Sequence, residues 1–326
     1  MALLIGGALE RPLAPYAPRG WGRPGPLFRL RPATTVVLAT AATQPALATR
    51  LTEAAPGEPS ADFSAERFLQ RVERRRGPDG PRVPGLRVLV YHHLLPEAIL
   101  VTLRHDSVTT SLERFEEQMG YLATHGYRTL APEDLLTYLR GRRTLPRRPV
   151  MVTFDDGYES NYVYAFPVLK RYRIKATIFL VTAWMHEAQP PYRPRQLSYL
   201  TWPEIREMAR SGLVSFGSHS DDLHRLQHGR PRGQVLPRSV VQADLEESRR
   251  KIEFNTGQFP LALAYPFGYR DQRLERATQA AGFQLGFGTD AGPVTPMSPR
   301  FSLPRYFVAG WRNLSLFTEL LPPAVP

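Results

Sequence analysis

PVMVTFDDG, residues 149–157, joins an apolar run to two adjacent carboxylates and a glycine. Pro149 to Phe154 is short, apolar and half β-branched, the pattern of a strand buried on both faces. Asp155, Asp156 and Gly157 then favour a turn, so the strand ends by presenting titratable groups. The same pattern occurs on either side. LRVLVYHH (86–93) runs from an apolar stretch into His92 and His93, and LVSFGSHSDDLH (213–224) runs into His219 and His224. Three predicted strands therefore finish in ligand-type side chains.

Between these strands the apolar period changes from two to about 3.6. Thr110 to Gly126 reads as a helix, with Thr110 and Glu113 spaced as a capping box and Leu112, Phe115, Met119 and Leu122 on one face. YRTL (127–130) is a strand and PEDLLTYLR (132–140) a helix closed by Gly141. NYVYAFPVLKRY (161–172) reads as helical despite Pro167, and KATIFLV (175–181) as a strand. TWPEIREMARSG (201–212) is a helix with Thr201 as cap and Gly212 as stop. A helix from about Ser239 to Asn255 follows, then the strand PLALAYPF, the helix DQRLERATQAAG and a last strand, FQLGFGT. Alternation sustained in this way predicts an α/β class fold, a parallel sheet with crossover helices. About seven βα units without a GxGxxG fingerprint favour a (β/α) barrel, in which chemistry sits at the carboxyl ends of the strands.

Composition narrows the setting. The chain of 326 residues allows one large domain or two ordinary ones. Much of its 32 prolines crowds the start and the tail, so residues 1–85 read as a disordered leader and linker, and 86–326 as the catalytic domain. Within the leader, LFRLRPATTVVLATAATQPALA (27–48) has the outline of an export signal, with Ala46-Leu47-Ala48 as cleavage site. SAERFLQRVERRR (64–76) is its single helical piece. An extracellular or cell-envelope location is the corresponding expectation. The formal charge of +12 is spread along the chain with no nucleic-acid signature beside it, which reads as a solvated basic surface. Cysteine is absent, so disulfides and thiolate metal sites are excluded. No run of 18 apolar residues occurs to suggest a transmembrane span.

Neighbouring side chains at a strand end diverge, so one carboxylate of the pair can bind a metal while the other faces a substrate. Asp156, His219 and His224 make a two-histidine, one-carboxylate set that suits a divalent metal, zinc above all, with a position left open. Asp155 is then the candidate general base.

TFDDG and the paired histidines resemble the first two motifs of the NodB-type polysaccharide deacetylases, carbohydrate esterase family 4. The resemblance runs from about Arg87 to Phe307. It implies a distorted, NodB-like (β/α) barrel, an N-acetylated polysaccharide substrate, Asp155 as base and Asp156, His219 and His224 as metal ligands. The histidine spacing is one residue longer than the usual family form. With VLVYHHL and FEEQMGYLATHGYRTL, it is similar to the subgroup acting on poly-N-acetylglucosamine exopolysaccharide. AYPFGYRD (264–271) resembles the third motif, which implies substrate and oxyanion contacts from Tyr265, Pro266, Phe267 and Gly268. Tyr265 is the leading candidate among them, while Phe267 also suits a packed core.

Two departures stand out. No arginine opens the third motif to orient the base, so Arg270 or Arg305, the latter in LPRYFV, is expected to substitute or to contact substrate. No histidine follows His228 to act as general acid. His92, at a strand end on the predicted catalytic face, is the candidate for that role. His93, His105, His125, His186 and His228 read as surface or loop residues; Asp221 and Asp222, between the paired histidines, read as a solvated loop, with orientation of those histidines as the alternative. The missing elements leave open a non-catalytic, carbohydrate-binding descendant of the fold. A hydrolase of cyclic amides or of peptidoglycan on the same frame is a third reading, since fold does not fix substrate.

Overall fold

A computed structural model of the chain describes residues 85–102 and 107–322. The predicted leader lies outside them apart from Gly85, as does His105. The described chain is built on eight parallel strands. They are β1 (Arg87–Tyr91), β2 (Arg128–Thr129), β3 (Pro149–Phe154), β4 (Ala176–Leu180), β5 (Val214–Ser218), β6 (Ala262–Ala264), β7 (Leu285–Phe287) and β8 (Tyr306–Phe307). Their order is β7-β6-β5-β4-β3-β1-β8, with β2 paired to the opening residues of β3. All six residues of the central β3 are buried, as expected of a parallel strand covered on both faces.

The sheet forms a seven-stranded half-barrel whose gap is bridged by chain. Leu303 bridges to Phe287 of β7, and three residues later Tyr306 and Phe307 pair with Leu89 and Val90 of β1. The segment 303–307 was not among the predicted strands. Its ladder is only two residues long and Pro304 precedes it, so no period can be read there.

Alternation along the strands sorts side chains to two sides. Leu89, Tyr91, Val152, Phe154, Ile178 and Phe216 pack in one core with the helices that follow. Val88, Met151, Phe179, Ala262, Ala264 and Phe287 share the other, between the strands of the curved sheet. The covering helices are α1 (Leu112–Thr124), α2 (Pro132–Leu139), α3 (Phe166–Tyr172), α4 (Trp202–Arg210), α5 (Arg238–Thr256) and α6 (Gln272–Ala280). None among the described residues is long and apolar enough to cross a membrane.

Local chemistry explains where the helices start. α4 opens at the predicted cap, Thr201, which forms a capping box with Glu204. α1 starts later than predicted. Ser111, not Thr110, accepts the Arg114 N–H, because Thr110 is engaged in a short ladder with Leu94. Glu113 instead accepts the Glu97 N–H. Pro167 is tolerated because it falls in the first turn of α3, after a π-helical turn over Asn161–Ala165, where its missing N–H costs little.

Candidate active site

The carboxyl ends of β1, β3 and β5 bring His92, Asp155, Asp156 and His219 to one place. Asp155 continues the strand, its N–H donating to the Tyr91 carbonyl. By alternation it shares a side with Met151 and Thr153. There it meets Arg305, which arrives from the bridging segment. Arg305 Nη1 donates to Asp155 Oδ1 and Nη2 to Oδ2, both at 2.7 Å. Its Nε donates to the Gly288 carbonyl at 2.9 Å, and the guanidinium lies 5.5 Å from the Phe179 ring centre. With Asp155 3% and Arg305 1% exposed, this is a buried, bidentate ion pair. Burial works to raise the Asp155 pKa, but Arg305 and the neighbouring histidines outweigh it and hold the carboxyl below its ordinary value. Arg305, expected to orient the base or to contact substrate, has no side-chain surface exposed for the second task. Arg270 pairs with Asp290 at 2.7 Å instead.

The chain turns sharply after Asp155. Asp156 and Gly157 both adopt left-handed backbone, at φ 73° and 72°. Asp tolerates this. At Gly157 a Cβ would come within 2.9 Å of Leu180 and 3.2 Å of Met185, so only glycine passes without displacing the core. The turn swings the Asp156 carboxylate toward the loop after β5, where Oδ1 stands 3.4 Å from Nε2 of both His219 and His224.

Those three atoms form a donor set. His219 Nδ1 is 2.7 Å from the Ala264 carbonyl. A carbonyl only accepts, so Nδ1 carries a proton and Nε2 faces Asp156; burial works to lower the His219 pKa, but Asp155 and Asp156 outweigh it and raise it. His224 is pushed down to about 4, chiefly by burial, which keeps it neutral near pH 7. Asp156 Oδ1 is buried and makes no hydrogen bond within the described residues. Two imidazole nitrogens and a carboxylate oxygen therefore lie within 4.8 Å of one another. Tetrahedral zinc with bonds of about 2.0–2.1 Å spaces its ligand atoms about 3.3–3.4 Å apart, the separation of Asp156 Oδ1 from each histidine nitrogen, so the donor types and these two edges suit a small divalent cation.

His92 follows β1 on the side of Val88 and Val90. Its Nδ1 is buried without a hydrogen-bond partner within the described residues, and its ring meets Phe307 edge-on at 5.7 Å. Burial lowers its pKa, with Asp156 and Asp155 pulling the other way. His93 points elsewhere, its Nδ1 lying 3.3 Å from Thr109 Oγ1.

The third motif divides differently from expectation. Tyr265 is fully buried under α6 with Leu274 and Ala277. Its hydroxyl donates to the Phe301 carbonyl and its N–H to the Phe287 carbonyl, so neither is open to a substrate. Pro266 is buried, and Gly268 has φ 63° with Thr289 packed against it. Phe267 is the residue that reaches the site, stacked on His224 with ring centres 4.3 Å apart. From there a row of half-exposed rings continues through Trp184, Tyr199 and Tyr158 to His93, each in contact with the next.

Asp221 and Asp222 are not a solvated loop. Asp221 Oδ1 accepts from Thr182 at 2.6 Å and Lys251 at 2.7 Å, and Asp222 holds Arg225 and Arg232.

Comparison with known proteins agrees with this frame. Residues 142–286 match the Polysaccharide deacetylase family. The poly-beta-1,6-N-acetyl-D-glucosamine N-deacetylase of Staphylococcus epidermidis is 32% identical over 209 residues, which are 64% of this chain and 70% of that protein. The Staphylococcus aureus protein of the same name is 29% identical over 202 residues, 62% and 68% of the two chains. Among solved structures, IcaB from Ammonifex degensii superposes with a TM-score of 0.61 at 27% identity, over 73% of this chain and 96% of that one. A de-N-acetylase from Aggregatibacter actinomycetemcomitans shares the fold, with a TM-score of 0.63 at 23% identity over 73% and 100%. Shared sequence over most of a relative and a shared fold together place the chain in the polysaccharide deacetylase family, as a hydrolase.

Proposed function

We propose that the chain removes N-acetyl groups from a poly-N-acetylglucosamine polysaccharide outside the cell, using a divalent metal, zinc above all, held by Asp156, His219 and His224. The observation that carries this is the Asp156 oxygen set 3.4 Å from two histidine nitrogens, beside a buried Asp155–Arg305 pair. The substrate follows the relatives in the two staphylococci, named for poly-β-1,6-linked N-acetylglucosamine.

A cation bound at those three groups supplies Lewis acidity at the acetyl carbonyl and acidifies water. Asp155, kept ionised by Arg305, takes the proton of the attacking water. His92 delivers a proton to the amine as the C–N bond breaks, and acetate departs. The row of rings from Phe267 to Tyr158 offers flat faces on which sugar rings stack.

Purified protein is expected to carry one zinc per chain and to release acetate from β-1,6-linked N-acetylglucosamine oligomers, with activity abolished by a strong chelator and restored by zinc. Zinc-loaded protein that releases no acetate defeats the proposal, as does activity indifferent to the chelator.

His92→Ala is expected to lower kcat by roughly 10²–10⁴-fold, the usual worth of a general acid, and to remove the alkaline limb of the pH–rate profile. His93→Ala should do far less, since its ring pairs with Thr109. Equal behaviour of both variants would remove His92 from the mechanism. Loss of zinc in His92→Ala would make it a ligand instead.

A further inference from the structure

α5 carries a polar stripe on a face that is otherwise apolar. Val241, Leu245 and Ile252 are buried in the core. Among them Asp244, Ser248 and Lys251, spaced i, i+4 and i+7, share one side of the helix. All three reach the end of β5 and the loop that follows it. Asp244 accepts the Asp221 N–H on Oδ1 and the Asp222 N–H on Oδ2, both at 2.8 Å. Ser248 shares a 2.7 Å hydrogen bond with Ser218, and Ser218 Oγ accepts the Ser220 N–H at 3.0 Å. Lys251 Nζ lies 2.7 Å from Asp221 Oδ1.

The loop joins two histidines that are held in different ways. His219 is fixed by the sheet itself, through its N–H to the Leu180 carbonyl and its Nδ1 to the Ala264 carbonyl. His224 comes after a turn in which Ser220 is left-handed, at φ 79°. The path to it is set by the amides of 220–223. One carboxylate bridges the two central amides of that path, and the Ser220 hydroxyl accepts the Leu223 N–H at 3.1 Å.

We propose that the Asp244–Ser248–Lys251 stripe positions His224 for metal capture, with Asp244 as its principal member. Asp244 touches neither histidine, so it acts through the loop as a positioning residue. Its place is costly. Burial pushes its carboxyl up to about 6, against the pull of the two amides. A neutral apolar side chain there would leave two part-buried N–H groups without their acceptor. The inference rests on the zinc reading above.

The test measures Zn²⁺ affinity of the full chain by competition with a chromophoric chelator. Outer partners of metal ligands typically change affinity 10–100-fold, and Asp244→Ala is expected to raise the zinc Kd by about that factor. With Co²⁺ in place of zinc, the visible absorption of Asp244→Ala should also differ from wild type, because one imidazole is no longer held in place. Asp271→Ala is the control. It removes the carboxylate that caps α6 through the Leu274 N–H, and should lower Tm without changing the zinc Kd. If Asp244→Ala does not fold, Lys251→Met, changed at a partly exposed side chain, is expected to raise the Kd several-fold. A zinc Kd within twofold of wild type in the Asp244 variant, or in Lys251→Met where that stands in, overturns the proposal, as does an equal loss of affinity in Asp271→Ala. Wild-type protein that binds no zinc at all fells the metal reading itself, and this inference with it.

Discussion

Asp155→Asn is expected to keep its zinc and to lose roughly 10²–10⁴ in kcat, the range a general base contributes. The retention of metal follows from geometry. Both Asp155 oxygens are engaged by Arg305, while the donor atoms facing each other belong to Asp156, His219 and His224. The amide can still accept from one guanidinium nitrogen but presents its own N–H groups to the other. The variant should therefore also lose thermal stability, and kcat must be measured below its transition. Acetate release sets the rate, and elemental analysis the metal content. Turnover near that of wild type in a zinc-loaded variant would rule Asp155 out as the base.

Arg305→Met should be costly in a different way. It leaves a carboxylate that is 3% exposed without its counter-charge, and breaking a buried pair from one side typically costs about 3–5 kcal/mol. The pH dependence should change sign. In the wild type the folded Asp155 pKa lies below its ordinary value. Its contribution to stability is therefore present above the unfolded carboxylate pKa of about 3.9 and is lost as pH falls through the lower folded value. Without Arg305 the burial effect dominates and the folded pKa rises above the unfolded one. Stability is then lost as pH rises through that interval, and the acidic limb of the pH–rate profile moves upward. Thermal unfolding across a pH series reads the first effect and steady-state rates the second. Arg305→Met/Asp155→Asn should recover much of the lost stability, since neither charge is then stranded. A single Arg305→Met variant with unchanged Tm and pH profile would show that the pair does not hold the carboxylate.

The strands and the strand-end residues that cluster are readable in sequence because each announces itself locally. Apolar runs ending in Asp155-Asp156, His219 and His92 announce strand ends directly, and alternation already separates His92 from His93. The orientation of Tyr265 is not legible. β6 is apolar on both sides, so nothing in LALAYPFG tells which face carries Ala262 and Ala264. The structure puts those two between the strands and sends Tyr265 under α6. The bridging segment 303–307 is hidden for another reason. Its place depends on two partners distant in sequence, Phe287 and Leu89–Val90, and its own pattern is two residues long. The stripe on α5 leaves a faint trace, a serine and an aspartate at helical spacing among apolar positions. A solvent-facing reading of the same residues fits the sequence equally well.

The ion pair at Asp155 spans 150 positions of chain. On the ribosome, synthesis runs from the amino terminus, so the acid is made long before its cation. All three proposed metal ligands also emerge ahead of Arg305. The bridging segment that joins the two sides of the half-barrel also supplies the cation that pairs with Asp155. A chain stalled before residue 305 would carry Asp155, Asp156, His219 and His224 without the counter-charge of Asp155.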